Sequence, residues 1–365
     1  MSSGSERTLR FYELRNFCTA GNQKNDPNDL LAYCENRVQG QDLELRKAVF
    51  LIWQYLQCIM RGKTFQAANW FLSAPSGCGK TELYRTVRKF FQDHHIPIPV
   101  IQIDLSRITE EGFKGLDPSG IIDLIKIEQR ETTGYAICFL DEADKKLLPS
   151  YDVHGENVNQ SVQSGLLTLI EGTTSEMDKD GFSKCFDTSK TMFVFMGAFQ
   201  DLRNDRQKRA ACSHTVGFNI SDTEESINAT DSFYSPITID DIIRFGMVEE
   251  LAGRIQQVIN FRRMSDDSML HLIRCKTDEI GEEMGIHIEL SDQAERELLS
   301  IAFGNLGLRT PLNRIRELVI NTIAAAFFDG NIKENEICIQ IRNMKEAQIT
   351  NHHKSGISKL NKEKL

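Results

Sequence analysis

Short apolar runs alternate with helix-like patterns between residues 30 and 263. Runs of this length, rich in β-branched and aromatic residues and bounded by polar ones, are typical of buried strands. They lie at 70–72, 100–104, 135–140, 191–196 and 257–261. Strands that alternate with helices along a chain form a parallel sheet. The pattern therefore predicts a large α/β domain at residues 30–263.

A smaller and mainly helical domain is predicted at residues 264–349. Ser265 precedes an acidic and then apolar stretch, which is a typical beginning of a helix. Short strand candidates lie at 286–290 and 337–341. An N-terminal extension, a long surface loop and a basic tail, all polar, are predicted at 1–29, 204–236 and 350–365.

The composition agrees with a protein of two domains. Of 365 residues, 40% are hydrophobic and 26% are charged, which is enough for two cores. The nine cysteines are single, without a C-x-x-C pair, so we expect a reducing compartment and no zinc module. We expect a cytoplasmic location and no membrane contact, because the sequence has no signal-peptide core or spanning run. The net charge of −9 gives no support for nucleic acid as a partner.

The stretch A-P-S-G-C-G-K-T at 74–81 lies between a predicted strand and a helix-like pattern. Backbone N–H groups of small residues in such a loop wrap a polyphosphate at the positive end of the helix. Lys80 would reach the β- and γ-phosphates of ATP, and Thr81 would ligate Mg²⁺. Ala74 stands where the usual pattern has its first glycine, which requires a negative φ there. The predicted nucleotide contacts are Ser76, Gly77, Cys78, Gly79, Lys80, Thr81 and Glu82.

Acidic residues follow the predicted strand at 135–140, in the string D-E-A-D at 141–144. An open α/β sheet binds its ligands at the carboxyl ends of its strands. Asp141 can therefore hold the Mg²⁺ shell, while Glu142 polarises the water that attacks the γ-phosphate. Together with the Lys80 loop, in this order and at this spacing, they predict a site that hydrolyses ATP.

Several longer strings occur in the order in which one known family has them. They are V-Q-G-Q-D at 38–42, D-V-H-G-E-N-V-N-Q at 152–160, L-L-T-L-I-E-G-T at 166–173, D-T-S-K at 187–190 and M-G-A-F at 196–199. Between residues 35 and 345 the chain resembles the AAA+ ATPases of the Clp type, and among them the ClpX unfoldases. The resemblance implies a P-loop large domain with a helical lid domain, ATP and Mg²⁺ as cofactors, and a homohexameric ring. It also implies that Val38, Gln39 and Gly40 contact the adenine.

Two loops that would contact a polypeptide come from this resemblance. G-F-K-G at 112–115 is similar to the aromatic pore loop of the family, so Phe113 and Lys114 would touch substrate in the axial channel. Tyr151 and His154 lie in the counterpart of the second pore loop. A large apolar ring can contact a polypeptide without reading its sequence. Without the resemblance, a phenylalanine between glycines is more often a packed loop anchor.

Two arginines also receive roles from the resemblance. E-L-A-G-R-I at 250–255 is similar to the segment with the arginine finger, so Arg254 would reach the γ-phosphate bound by a neighbouring subunit. G-L-R-T-P-L at 307–312 lies where the family has its second sensor, which makes Arg309 the reporter of the nucleotide state. Each arginine, taken alone, is more often part of a surface ion pair.

Departures from the ClpX pattern leave the substrate and the partners open. The loop at 175–184 is partly acidic where ClpX has a basic cluster, and Met196 and Gly197 offer no polar side chain at the first-sensor position. The tripeptide V-G-F is similar to the one with which ClpX docks on the ClpP peptidase; it consists of Val216, Gly217 and Phe218. Either it docks on a peptidase of the ClpP type or it folds back onto its own domain.

The sequence thus predicts a Mg²⁺-dependent ATPase that forms a ring with copies of itself and pulls polypeptide substrates through an axial pore. Phe113 and the acidic net charge favour this hypothesis. One alternative is an ATPase switch that loads or clamps nucleic acid, which predicts a cluster of Lys and Arg in the pore loops. Another is a regulatory scaffold that binds ATP without turnover, against which the intact Lys80, Asp141, Glu142 and Arg254 argue.

Overall fold

The computed structural model describes most of the chain. The described residues are 27–61, 65–108, 120–128, 134–172, 174–175, 186–213, 234–304, 307–328 and 337–351. They belong to two compact units, of which the first ends at Arg263 and the second begins at Met264. No helix among the described residues is long and apolar enough to cross a membrane.

Five strands of the first unit form one parallel sheet. The strands of this unit are β1 (Asn69–Ser73), β2 (Val100–Asp104), β3 (Ala136–Asp141), β4 (Thr174–Ser175), β5 (Phe186–Asp187), β6 (Thr191–Gly197) and β7 (Ile255–Asn260). The order in the sheet is β2-β3-β6-β1-β7, and β4 and β5 form a separate antiparallel pair. Ser73 pairs with Gly197, and Leu140 pairs with Phe195. The carboxyl ends of β1, β3 and β6 therefore lie side by side at one edge of the sheet.

Helices cover both faces of this sheet. They are α1 (Pro27–Glu35), α2 (Asp42–Arg61), α3 (Lys80–Asp93), α4 (Gly120–Glu128), α5 (Val158–Gly172), α6 (Gln200–Ser213), α7 (Ile239–Phe245) and α8 (Glu249–Ala252). Side chains alternate between the faces of a strand. Accordingly, Trp70 and Leu72 of β1 lie in one core with α1, α2 and α3, whereas Phe71 lies in another with α4, α5 and α7. The predicted α/β fold is confirmed.

Short 3₁₀ turns follow three of the strands, at Leu105–Arg107, Ala143–Lys146 and Thr188–Lys190. The helix α3 is amphipathic, with Leu83, Val87 and Phe91 buried at a spacing of four residues. This apolar stripe packs α3 against the sheet and thereby holds its amino end beside the end of β1.

The helix α6 extends into a region that the sequence analysis assigns to a surface loop. A loop is predicted from residue 204, whereas α6 continues to Ser213. Its residues include Arg, Gln, Lys and Ala, which are good helix formers. They form no apolar stripe, so the amphipathic pattern that signals a helix is missing.

The second unit combines helices with a small sheet. Its elements are α9 (Asp266–Met284), β8 (His287–Leu290), α10 (Asp292–Gly304), α11 (Arg309–Phe328), β9 (Ile337–Asn343) and β10 (Glu346–Asn351). The sheet order is β10-β9-β8, with β10 antiparallel and β8 parallel to β9. Ser265 caps α9, because its hydroxyl accepts a hydrogen bond from the Ser268 N–H at 3.2 Å. The sequence analysis did not predict β10, which pairs residues 346–351 with β9.

Candidate active site

The phosphate loop joins the end of β1 to the first turn of α3. Gly77 and Gly79 have φ angles of 81° and 95°, in the left-handed region that favours glycine. Successive backbone N–H groups around such residues form a concave site for an anion. A Cβ atom on Gly79 would lie 3.4 Å from Val38 Cγ1 and 3.9 Å from Phe261 Cε2. The loop therefore fits a polyphosphate, and a methyl group on Gly79 would be in van der Waals contact with Val38 and Phe261.

Ala74 occupies the first position of the loop and is fully buried. Its N–H donates to the Gly197 carbonyl at 3.1 Å, which continues the pairing of β1 with β6 by one residue. The non-glycine residues with positive φ in the described part are His95, Glu142 and Phe199, so the φ of Ala74 is negative. The methyl group is accommodated because this position extends a strand.

The Lys80 ammonium lies among backbone carbonyls of the loop. Its Nζ donates to Ala74 O at 2.5 Å and to Pro75 O at 3.3 Å. Burial lowers the pKa of Lys80, while the neighbouring Cys78, Asp141 and Asp144 act in the opposite direction. Because a charged phosphate oxygen accepts a stronger hydrogen bond than a neutral carbonyl, a phosphate in the loop can take over this ammonium.

The other predicted contacts of the loop differ in exposure. Ser76 and Gly77 are exposed, whereas the residues from Cys78 to Glu82 are half-buried. Burial raises the pKa of the Cys78 thiol, although Lys80 and Arg203 lower it in part. A raised pKa keeps the thiol neutral, which argues against a reactive nucleophile at Cys78.

Asp141 is the last residue of β3 and is held by two hydrogen bonds. Gln102 of the adjacent strand β2 donates from Nε2 to Asp141 Oδ2 at 2.7 Å, and the Glu142 N–H donates to Oδ1 at 3.0 Å. Carboxylate oxygens are ligands that Mg²⁺ prefers. Thr81 and Asp141 are thus the residues of this edge that would hold the ion. Gln102 was missed in the sequence, where it is one polar residue within a strand.

Glu142 has the backbone conformation and the electrostatic surroundings of a functional residue. Its φ is 56°, and Phe199, at the end of the neighbouring strand β6, has φ 52°. Such strained residues cluster at active sites. Partial burial and the nearby Asp144 and Asp141 raise the pKa of Glu142. A carboxylate with a raised pKa accepts a proton from water more readily.

Asp144 and Arg203, which sequence analysis missed, are both buried at this edge. Asp144 Oδ2 accepts a hydrogen bond from the Phe199 N–H at 2.8 Å, while Oδ1 finds no donor among the described residues. Arg203 donates from Nη2 to Ser73 Oγ at 2.8 Å and from Nε to Ala198 O at 3.0 Å. A surface aspartate or arginine would look the same in the sequence, so only the fold identifies them.

The segment predicted to contact adenine lies beside the phosphate loop. Val38 is buried against Gly79, Gln39 is half-buried, and Gly40 is exposed with a φ of 72°. The adjacent Gln41 is buried and exchanges two hydrogen bonds of 2.7 Å with the backbone of Arg262, just after β7. Gln41 thus ties this segment to the end of the sheet.

Arg254 lies at the opposite edge of the sheet from the phosphate loop of its own chain. It directly precedes β7, which is parallel to β1, and β1 ends where the loop begins. A strand of six residues spans about 20 Å, which exceeds the reach of an arginine side chain. Arg254 Nη2 instead forms an exposed ion pair with Glu171 Oε1 at 2.6 Å. In contrast to Lys80, Asp141 and Glu142, Arg254 is not brought to this site within one chain.

The second predicted pore loop is a tight turn closed by the pair Tyr151–Asn157. Asp152 Oδ1 accepts hydrogen bonds from the N–H groups of His154 and Glu156, both at 2.8 Å. Tyr151 is 68% exposed and Val153 94% exposed, so the turn presents two apolar side chains to solvent. His154 is also exposed.

One of the remaining predicted residues lies in the second unit, and the others lie outside the described part of the chain. Arg309 is exposed and is the first residue of α11. The other predicted residues, which lie outside the described residues, are Phe113, Lys114, Val216, Gly217 and Phe218.

Replacing Gly79 by Ala should weaken ATP binding by about tenfold or more, because an L-residue at this φ is strained and its methyl group approaches Val38. The dissociation constant of a fluorescent ATP analogue measures the effect. Gly285→Ala is the matched control, since Gly285 has φ 67° and open space around a Cβ atom. Both variants should lose similar stability, and only Gly79→Ala should lose affinity. Equal affinities in the two variants would contradict the assignment of the loop.

Comparison with known proteins agrees with this geometry. Residues 66–258, just over half of the chain, match the AAA domain family of the Cdc48 subfamily. A curated relative, the ATP-dependent Clp protease ATP-binding subunit ClpX of Treponema denticola, is 26% identical over 270 residues. The match covers 68% of this chain and 62% of that relative, so the chain spans less than two thirds of its length. The matched region contains the phosphate loop, Asp141 and Glu142. The chain therefore belongs to the AAA domain family and is an AAA+ ATPase, with similarity to those of the Clp type.

Proposed function

We propose that this protein is an ATP-dependent unfoldase or remodelling ATPase, which hydrolyses ATP in a ring and pulls polypeptides through the axial pore. The observation that carries the proposal is a short, hydrogen-bonded path from Glu142 to the exposed turn at 151–157. Asn159 Nδ2 donates to Leu148 O at 2.7 Å and to Lys145 O at 3.3 Å, within the segment that joins Glu142 to the turn. Movement at Glu142 can thereby reach the turn.

A second amide strengthens this path. Gln163 of α5 is buried and donates from Nε2 to Lys146 O at 3.0 Å and to Gly246 O at 3.1 Å. Its Oε1 accepts from the Val248 N–H at 2.8 Å. The amide thus joins the 3₁₀ turn after Glu142 to the segment before α8. Arg254 follows α8 by two residues, so the same contacts connect the hydrolytic acids with the arginine at the opposite edge.

In the proposed reaction the phosphate loop and Lys80 bind the phosphates of ATP, and Glu142 accepts a proton from the attacking water. Bound Mg²⁺ would neutralise charge on the phosphates, with Thr81 and Asp141 as its protein ligands. Gln102 fixes the orientation of the Asp141 carboxylate. The products are ADP and inorganic phosphate.

The separation of Arg254 from its own nucleotide site supports a ring. An arginine that cannot reach the phosphate in its own chain can reach the one bound by a second copy. A head-to-tail contact between identical subunits closes into a ring when its rotation allows. We infer a homohexamer, in which Arg254 contacts the γ-phosphate of the neighbouring subunit and Arg309 reports the nucleotide state.

The exposed turn is the proposed contact to a polypeptide. Tyr151 and Val153 can contact chains of any sequence through apolar surface, and His154 adds a polar contact. Phe113 and Lys114 are proposed to line the same channel. Docking of Val216, Gly217 and Phe218 on a peptidase of the ClpP type, and a cytoplasmic location, are predictions that a pull-down and localisation of the protein would test.

Replacing both Tyr151 and Val153 by Ser should reduce unfolding of a folded, tagged substrate by about tenfold and leave ATP turnover nearly unchanged. The residues are exposed, so their loss removes substrate contact without opening a cavity. Loss of substrate fluorescence under excess ATP measures unfolding. Ile320→Ser in the second unit is the control, because Ile320 is also apolar and 54% exposed. Unfolding at the parent rate by the double variant would exclude this turn as a substrate contact.

The proposal as a whole is tested by ATP turnover with and without an unstructured polypeptide and, separately, with single-stranded and duplex DNA. The mass of the Glu142→Gln variant in ATP gives the state of assembly. Stimulation by polypeptide in a ring-sized assembly supports the unfoldase. Stimulation by DNA alone would instead favour the nucleic-acid switch, and ATP binding without any turnover would favour the scaffold.

A further inference from the structure

Arg203 lies at the point where the phosphate loop leaves the sheet. It belongs to α6, which follows β6, and its side chain is 1% exposed. One guanidinium nitrogen donates to the hydroxyl of Ser73, the last residue of β1, and another donates to the Ala198 carbonyl just beyond β6. The guanidinium therefore joins the ends of the two adjacent strands directly before the loop begins.

The end of β6 has no room for a polar side chain of its own. A Cβ atom on Gly197 would lie 2.9 Å from Phe199 Cε2, 3.2 Å from Asp144 Cβ and 3.3 Å from Asp144 Oδ1. Real Cβ atoms essentially never approach another atom to 2.9 Å, so a side chain at this position would require the Phe199 ring to move. Arg203 of α6, six residues after Gly197, instead brings a polar group to the end of β6.

Two of the groups that act on Arg203, Cys78 and Asp144, lie at the nucleotide site. Burial lowers the pKa of Arg203 to about 10, which leaves the guanidinium charged at neutral pH. Cys78, Arg206, Tyr234 and Asp144 lie near enough to influence it, and Arg203 in turn lowers the pKa of Lys80. Buried charge is costly in a folded protein. The site therefore holds two cations, Arg203 and Lys80, close to where the phosphates would bind.

We propose that Arg203 is a positioning residue that makes the nucleotide site prefer ATP over ADP. It fixes the start of the phosphate loop through Ser73 and adds positive charge beside Lys80. The extra phosphate of ATP carries additional negative charge, so a fixed cation favours ATP more strongly. This inference rests on the proposed ATP site.

The test compares dissociation constants for Mg²⁺-ATP and Mg²⁺-ADP, measured by calorimetry in the Glu142→Gln background, which prevents turnover. Arg203→Gln should lower the preference for ATP by about tenfold, the size of one charge-assisted interaction. Arg203→Lys retains the charge and should keep most of the preference. Ser73→Ala, which removes one hydrogen bond and no charge, should weaken both nucleotides to a similar degree.

Arg206→Gln is the control that distinguishes an effect of charge at the nucleotide site from a general loss of stability. Arg206 lies on the same helix and pairs with Asp241 at 2.6 Å, so its loss should lower the melting temperature without changing the preference for ATP. An equal loss of ATP and ADP affinity in Arg203→Gln, or no loss of either, would overturn the inference. If Arg203→Gln does not fold, Arg203→Lys provides the test instead. A loss of about tenfold in its preference for ATP over ADP would also overturn the inference. Failure of the parent to bind ATP would refute the proposed function instead.

Discussion

Glu142→Gln should lower ATP turnover by about 10²–10⁴-fold, the usual contribution of a general base, and leave ATP binding intact. The amide has nearly the same shape as the carboxylate but cannot accept the proton of the attacking water. Glu142 is only partly covered by the protein, and its substitution leaves Lys80, Asp141 and the loop in place. Phosphate release under saturating ATP measures turnover, and calorimetry with Mg²⁺-ATP measures binding.

The pH dependence of turnover provides a second readout of the same residue. The carboxylate form of Glu142 is the active one, and its pKa is raised by partial burial and by the nearby Asp144 and Asp141. Turnover should therefore fall as the pH drops through this raised pKa, at a higher pH than for an ordinary glutamate. The residual turnover of Glu142→Gln should lack this acidic limb. Glu279→Gln, an exposed position in α9, is the control and should behave as the parent.

A parent-like turnover in Glu142→Gln would remove Glu142 from the mechanism. Asp144 would then be the next carboxylate to consider, because it is buried at the same edge and one of its oxygens finds no donor among the described residues. Loss of ATP binding together with turnover would instead indicate that Glu142 supports the loop. The two measurements distinguish these outcomes within one preparation of protein.

The parts of the site that were predicted from the sequence are motifs whose residues lie close together in the chain. A phosphate loop is recognised by glycines and a lysine at fixed spacing. Acids at the end of a strand are recognised by the apolar run that directly precedes them. The α/β alternation was equally local, and the observed strand bounds differ by only a residue or two at most ends. These features depend on neighbours in the sequence, so the pattern alone identifies them.

The parts that were missed depend on contacts between distant residues. Gln41 bonds to Arg262 at a separation of 221 residues, Arg203 to Ser73 at 130, and Gln102 to Asp141 at 39. A single polar residue in an apolar or helical stretch gives no indication of its partner. Most of the helix α6 was also assigned to a surface loop, because a helix that is polar on most sides lacks the apolar period. Arg203 is the one buried residue between positions 200 and 209 of that helix.

Arg254→Ala should lower turnover by about 10³-fold or more, the usual loss when an arginine finger is removed. The effect should require assembly, because Arg254 lies at the edge of the sheet opposite the phosphate loop of its own chain. Arg254→Lys retains the charge but loses the planar fork, so it should recover only part of the turnover. Arg316→Ala is the control, since Arg316 forms a comparable exposed pair with Glu283 at 2.8 Å.

Mixing Arg254→Ala with Glu142→Gln tests whether the arginine acts between subunits. Each variant alone should be nearly inactive, because every interface lacks one of the two groups. In a randomly mixed ring, about a quarter of the interfaces combine an intact Glu142 with an intact Arg254 from the neighbour. Turnover should therefore rise well above that of either variant. If the mixture stays as inactive as its components while its mass shows co-assembly, Arg254 does not complete the site of a neighbouring subunit, and its pair with Glu171 is then a surface contact of small energetic effect.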